Sequence, residues 1–198
     1  MRKIAFIIVS LFSLLSNIST AQVRQALISQ AEKGDLETIK YLAESYLKGG
    51  GSFSKDMQEG FKWMKRAAEL GDGESQFNLS NLYLDGEGTT PDEKLGWFWL
   101  EKSAKSMYPA GVFKFAMFNH YDKNFEEAYK WFKVANERFN LSETDYYLGI
   151  YHFLEIGGTK LPDVFESKVQ NMIKAEEYLR RCCANENDVD GEAHSMLF

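Results

Sequence analysis

Four short stretches of this chain share one helical pattern. Phe61–Ala68, Trp97–Ala104, Tyr129–Asn136 and Glu177–Cys183 each carry an aromatic, Trp63, Trp99, Trp131 or Tyr178, with a small residue four places later. Three residues before the aromatic stands another small one: Gly60, Gly96, Ala128 and Ala175. Four residues before that come Asp56, Asp92, Asn124 and Asn171, residue types that cap a helix N-terminus with a side-chain oxygen. A column this regular predicts an array of helical repeats, because a helix brings residues three and four apart onto one face.

A second column belongs to a preceding helix in each repeat. Leu42-Ala43, Leu79-Ser80, Phe115-Ala116 and Leu148-Gly149 pair a large residue with a small one, and Thr38, Ser75, Gly111 and Thr144 lie four places earlier. These step by 37, 36 and 33 residues, while the aromatics step by 36, 32 and 47. The columns move together, so length changes fall in the loops. The physics is that of paired antiparallel helices: small residues let two backbones approach, and one pair cannot bury both faces, so pairs stack. Gly49-Gly50-Gly51 and Gly86-Glu87-Gly88 are expected to end first helices. The third repeat passes directly through His120-Tyr121-Asp122-Lys123, and the fourth carries a longer loop around Gly157–Pro162. Repeats are placed at 31–68, 69–104, 105–136 and 137–183, with a partial copy at 187–198.

Ala31-Glu32-Lys33-Gly34-Asp35, Leu42, Tyr46, Asp56, Trp63 and Ala67 through Gly71 resemble the Sel-one-like repeat, a variant of the tetratricopeptide repeat. Ser75, Leu79, Ser80, Tyr83, Gly86, Gly88, Asp92, Trp99 and Ala104 match in a second copy. The third copy departs, with Met107 at the glycine place and Asn119 at the tyrosine place, and the fourth has His152 at the tyrosine place. The resemblance implies an all-α fold, a right-handed α-solenoid of antiparallel helix pairs with about four repeats and a half. It also implies a concave face of first helices that binds another protein, as an adaptor or scaffold does.

Met1–Ala21 is expected to be a secretory signal peptide, since Arg2 and Lys3 precede the apolar run Ile4–Leu15 and Ser19-Thr20-Ala21 offers small residues for cleavage. The mature repeat domain is then 22–198, with a periplasmic or secreted location and no stable membrane insertion. Removing Arg2 and Lys3 leaves 21 basic against 29 acidic residues, a net charge of −8. That surface argues against nucleic acid and anionic lipid as partners.

Nothing in the chain spells a reaction. His120, His152 and His194 lack a second ligand at metal spacing, no glycine-rich run has phosphate-loop spacing, and no cofactor is expected. Cys182 and Cys183 stand where earlier repeats hold small packed residues. The sharper alternative is a thiol hydrolase, with Cys182 as nucleophile and His152 as base. A further alternative is an immunity or inhibitor protein that blocks a toxic secreted enzyme. Glu126-Glu127 and Glu176-Glu177 suit the positive end of a helix dipole. The informative side chains lie two before and two after the first-helix leucine column. Lys40 and Glu44 in the first repeat give way to Phe77, Phe113 and Tyr146, and to Met117 and Ile150. With His120 and Phe153 they make the expected protein-binding face, since an apolar patch rimmed by charge marks an interaction surface. Tyr121 and Leu154 adjoin it.

Overall fold

The computed structural model describes residues 19–50, 53–154 and 173–181. The chain ahead of Ser19, the loop with Asn171, the cysteines Cys182 and Cys183 and the partial repeat at 187–198 lie outside the described residues. Among those described, eight helices have defined bounds: α1 (Thr20–Glu32), α2 (Leu36–Lys48), α3 (Met57–Glu69), α4 (Gly73–Asp85), α5 (Glu93–Lys105), α6 (Pro109–Tyr121), α7 (Phe125–Phe139) and α8 (Glu143–Phe153). A ninth, α9, covers 173–181. An isolated bridge between Gly50 and Phe53 is the only strand-like pairing among them. The fold is all-α, a helix-pair repeat of the solenoid class. The chain divides into two compact units, Met1–Gly96 and Trp97–Phe198.

In the first unit, short turns fold α1 onto α2, α2 onto α3 and α3 onto α4. Ala31, Ile39, Leu42, Phe53 and Ala67 form a buried cluster with Tyr46 and Trp63 packed against it. Asp35 and Asp72 start α2 and α4 alike. Each carboxylate accepts from the backbone N–H and the hydroxyl of the residue three places on, Thr38 or Ser75. Asp56 caps α3 through the N–H groups of Gln58 and Glu59, and Asp92 accepts from Leu95. The small column does what its spacing predicts. A Cβ on Gly60 would stand 2.6 Å from the Leu47 side chain, and one on Gly96 2.5 Å from Leu84.

In the second unit, α6 packs on α7 and α7 on α8. Ala116, Ala128, Phe132, Leu148 and Tyr151 form one buried cluster; Ala104, Val112 and Ala135 form another. A Cβ on Gly111 would lie 2.2 Å from Ser103 Oγ, so α5 and α6 touch through small residues as well. Trp99 of the aromatic column is buried. Trp97, off the column, is half-buried and stacks on Phe118 at 4.2 Å.

Two details depart from the sequence expectation. Asn124 precedes α7 but makes no side-chain cap; its Nδ2 donates instead to Asn119 Oδ1 at 3.1 Å. Asn119, buried, also donates to the Phe115 carbonyl, so two amides fill the place of a tyrosine. Second, the turn that closes each second helix keeps its left-handed residue without keeping its glycine. Gly34 and Gly71 have φ of 93°, and Met107 and Asn140 take φ of 58° and 51° in the later copies.

One backbone bond recurs across three copies. The N–H of Asp56 donates to the Tyr46 carbonyl at 2.8 Å, that of Asp92 to Tyr83 at 2.9 Å and that of Asn124 to Asn119 at 2.8 Å. It ties the residue before each second helix to the end of the first.

Candidate protein-binding face

The expected binding residues divide between the two units. Phe77 belongs to α4 of the first unit and is half-buried. The other six lie in the second unit, Phe113, Met117 and His120 on α6 and Tyr146, Ile150 and Phe153 on α8. On each helix they follow one another at spacings of three and four, which is one stripe.

Beneath these stripes lies an aromatic layer that joins α6, α7 and α8. Phe132 of α7 stacks on Tyr147 of α8 at 4.5 Å and 3° between planes, and the Phe113 ring meets both edge-on at 6.1 and 6.4 Å. Met117 packs against the same cluster. His120 is surrounded by Phe125, Phe132, Tyr147 and Tyr151, and its Nδ1 stands 2.9 Å from the Tyr151 hydroxyl. A phenol both donates and accepts, so the bond forms with either neutral tautomer. Burial holds the His120 imidazole below its ordinary pKa, because charge is disfavoured away from water. Burial first, and then Tyr147, pushes the Tyr151 phenol up to about 12. The pair is therefore neutral at neutral pH.

A second pair continues the layer towards α9. Tyr129 OH and His152 Nε2 lie 3.2 Å apart, and the His152 ring stacks on Tyr178 at 5.7 Å and 8°. Near it, Asp145 is almost fully buried, accepts from Asn136 Nδ2 at 2.7 Å and faces Arg181 at 3.2 Å. Burial raises the Asp145 pKa, while Arg181 and the Asn136 bond pull the other way.

Spacing alone picked out the outer stripes, and Tyr178 as a member of the aromatic column, and passed over Tyr147, Tyr151 and Phe132. One signal was present: Tyr147 and Tyr151 stand four apart on either side of Leu148, as His120 stands seven after Phe113. The outer residues differ in what they leave open. Ile150 and Tyr146 are half-buried, while Phe153 is 53% exposed, Leu154 54% and Tyr121 72%. At matching places in the first unit, Lys40 pairs with Asp72 and Glu74, and Glu44 with Lys48 at 2.7 Å. The thiol alternative for Cys182 lies outside the described residues. Among those described, no three His, Cys, Asp or Glu side chains stand together as metal ligands, and no helix is long and apolar enough to cross a membrane.

Comparison with known proteins bears on the repeats. The family model described as Sel1 repeat matches residues 39–72, 73–106 and 120–138. The chain is similar in fold to a Sel1 repeat protein from Oxalobacter formigenes, with TM-score 0.70 and 22% identity over 91% of this chain and 50% of that one. It is also similar to a protective antigen with an SLR fold from uropathogenic Escherichia coli, with TM-score 0.66 and 23% identity over 86% of this chain and 34% of the other. In sequence, 75 residues are 39% identical to the chitin synthase regulator SKT5 of Saccharomyces cerevisiae, covering 37% of this chain and 11% of that protein. The chain thus spans half or less of the length of these relatives.

Proposed function

Since three stretches of the chain match the Sel1 repeat, we propose that it is an exported, non-catalytic adaptor or scaffold of the Sel1-repeat kind whose second unit binds another protein. The observation that carries this is the change of side chain at matching repeat positions. Lys40 and Glu44 are charged and tied into ion pairs, whereas Met117 and Ile150 are apolar and half-open to solvent. Binding energy concentrates in a few desolvated apolar anchors, while rim charges contribute little. Sel1 repeats serve protein–protein contact, and both His–Tyr pairs are packed among aromatic side chains. Export rests on the charged start and apolar run of Met1–Ala21.

Ile150 is the cleaner probe, because Met117 leans on the buried cluster. Ile150→Asp is expected to leave helicity and melting nearly unchanged and to weaken capture of the partner from an extract of the host by about 2 kcal/mol or more. Glu44→Lys, at the matching place in the first unit, should capture normally. Unaltered capture by Ile150→Asp would move the binding surface elsewhere. Export is checked by mass spectrometry of the protein from its host. The expected N-terminus is Gln22 or a near neighbour, and an intact Met1 would overturn it.

A further inference from the structure

Where the N-terminal ends of α6 and α8 come side by side, an open groove of about 400 Å³ runs between Tyr108, Pro109, Ala110 and Phe113 on one side and Leu141 and Glu143 on the other. It lies wholly within the second unit and shares Phe113 with the candidate face. Five of its six lining residues are apolar or aromatic. The sixth, Glu143, is exposed in the first turn of α8, and no Lys, Arg or His among the described residues pairs with it.

We propose that this groove receives an arginine side chain on an extended, otherwise apolar segment of the partner protein. This rests on the protein-binding reading above and specifies the chemistry of the partner. A single carboxylate bordered by aromatic residues selects a cation, and the chain as a whole carries a net charge of −6, which repels acidic segments. Guanidinium fits better than ammonium. It is weakly hydrated, so it loses less on entering an apolar groove; it stacks on aromatic rings, and its planar fork matches both oxygens of a carboxylate. Pro109 and Leu141 then face the aliphatic neighbours of that arginine. Tyr108 and Phe113 supply the rings.

The test uses the whole chain and four fluorescein-labelled hexapeptides of sequence Gly-Leu-Pro-X-Leu-Gly, with X as arginine, lysine, citrulline or glutamate. Citrulline keeps the shape of arginine and removes its charge. Fluorescence anisotropy should show the arginine peptide binding at least about tenfold more tightly than the citrulline and glutamate peptides, with lysine between. Glu143→Lys should abolish that preference and favour the glutamate peptide. Glu137→Lys, an exposed carboxylate of α7 outside the groove, should change nothing. Equal binding of the arginine and citrulline peptides overturns the proposal, as does an arginine preference that survives Glu143→Lys, or no binding up to about 1 mM. If the peptides fail while Ile150→Asp still loses the partner, the protein-binding reading stands and the groove assignment alone falls.

Discussion

His120 shows how one side chain can belong both to the surface stripe and to the core beneath it. Its ring meets Phe125, Phe132, Tyr121, Tyr147 and Tyr151, and burial lowers its pKa. The direction of the linkage follows. An imidazole whose native pKa is depressed binds fewer protons folded than unfolded, so its stabilising contribution is present above the unfolded value, about 6.5, and is lost as pH falls through the native value. Stability measured by urea titration should therefore decline as pH drops below that point. His120→Gln, which keeps a hydrogen-bonding group for Tyr151 but cannot titrate, should decline less over the same interval. Identical slopes in the two proteins would remove His120 as the cause. That His120 belongs with an apolar stripe was legible from its spacing after Phe113. That Tyr151 answers it was not, because the partner stands 31 residues away and only the packing of α6 against α8 brings it near.

At the level of the helices, the ends divide into those that residue type announces and those that it does not. Asp56 and Asp92 cap as their chemistry suggests, and Gly49 and Gly86 stop helices with positive φ. Met107, Lys123 and Asn140 turn the chain through the same left-handed region with a Cβ present. Such a residue ordinarily costs about 1–2 kcal/mol, asparagine being the type that enters the region most readily, so nothing in the identity of Met107 or Lys123 points to the turn; the packing of the helices on either side holds them there. The same logic explains Asn124. Its type says cap, but the buried Asn119 amide recruits it. The link between α8 and α9 is electrostatic as well as apolar. Arg181 faces the buried Asp145, and Leu179 lies where a Cβ on Gly149 would collide with it at 2.8 Å. Breaking a buried pair by removing one partner costs about 3–5 kcal/mol, but Arg181 is partly solvated, so Arg181→Gln should cost about 1–3 kcal/mol, read from denaturant midpoints. A carboxyl whose native pKa is raised contributes stability that is present below its unfolded value and is lost as pH rises through the native one. Without Arg181 that rise is unopposed. The variant should lose more stability near pH 7 than near pH 4, and a loss independent of pH would show that Asp145 does not change its charge between the two.

For the whole chain, the helical repeat was legible because two columns of residues kept step through loops of different length. The aromatic layer of the second unit was not, because Phe132, Tyr147 and Tyr178 come from three helices and meet only in the fold. What survives best from copy to copy is a bond that involves no side chain. Asp56, Asp92 and Asn124 each donate a backbone N–H to the residue ten, nine or five places earlier, at Tyr46, Tyr83 and Asn119. All three donors lie outside the helices' own hydrogen-bond ladders, in connecting segments whose amides ordinarily trade their hydrogen for solvent deuterium fastest. In heavy water these amides should instead be slow, standing out against quick neighbours such as those of Ser54 and Thr90. The periodicity of the chain would then be visible as time, in three late-exchanging positions spaced 36 and 32 residues apart. Rapid exchange at all three would mean that these bonds open far more often than the helices they join.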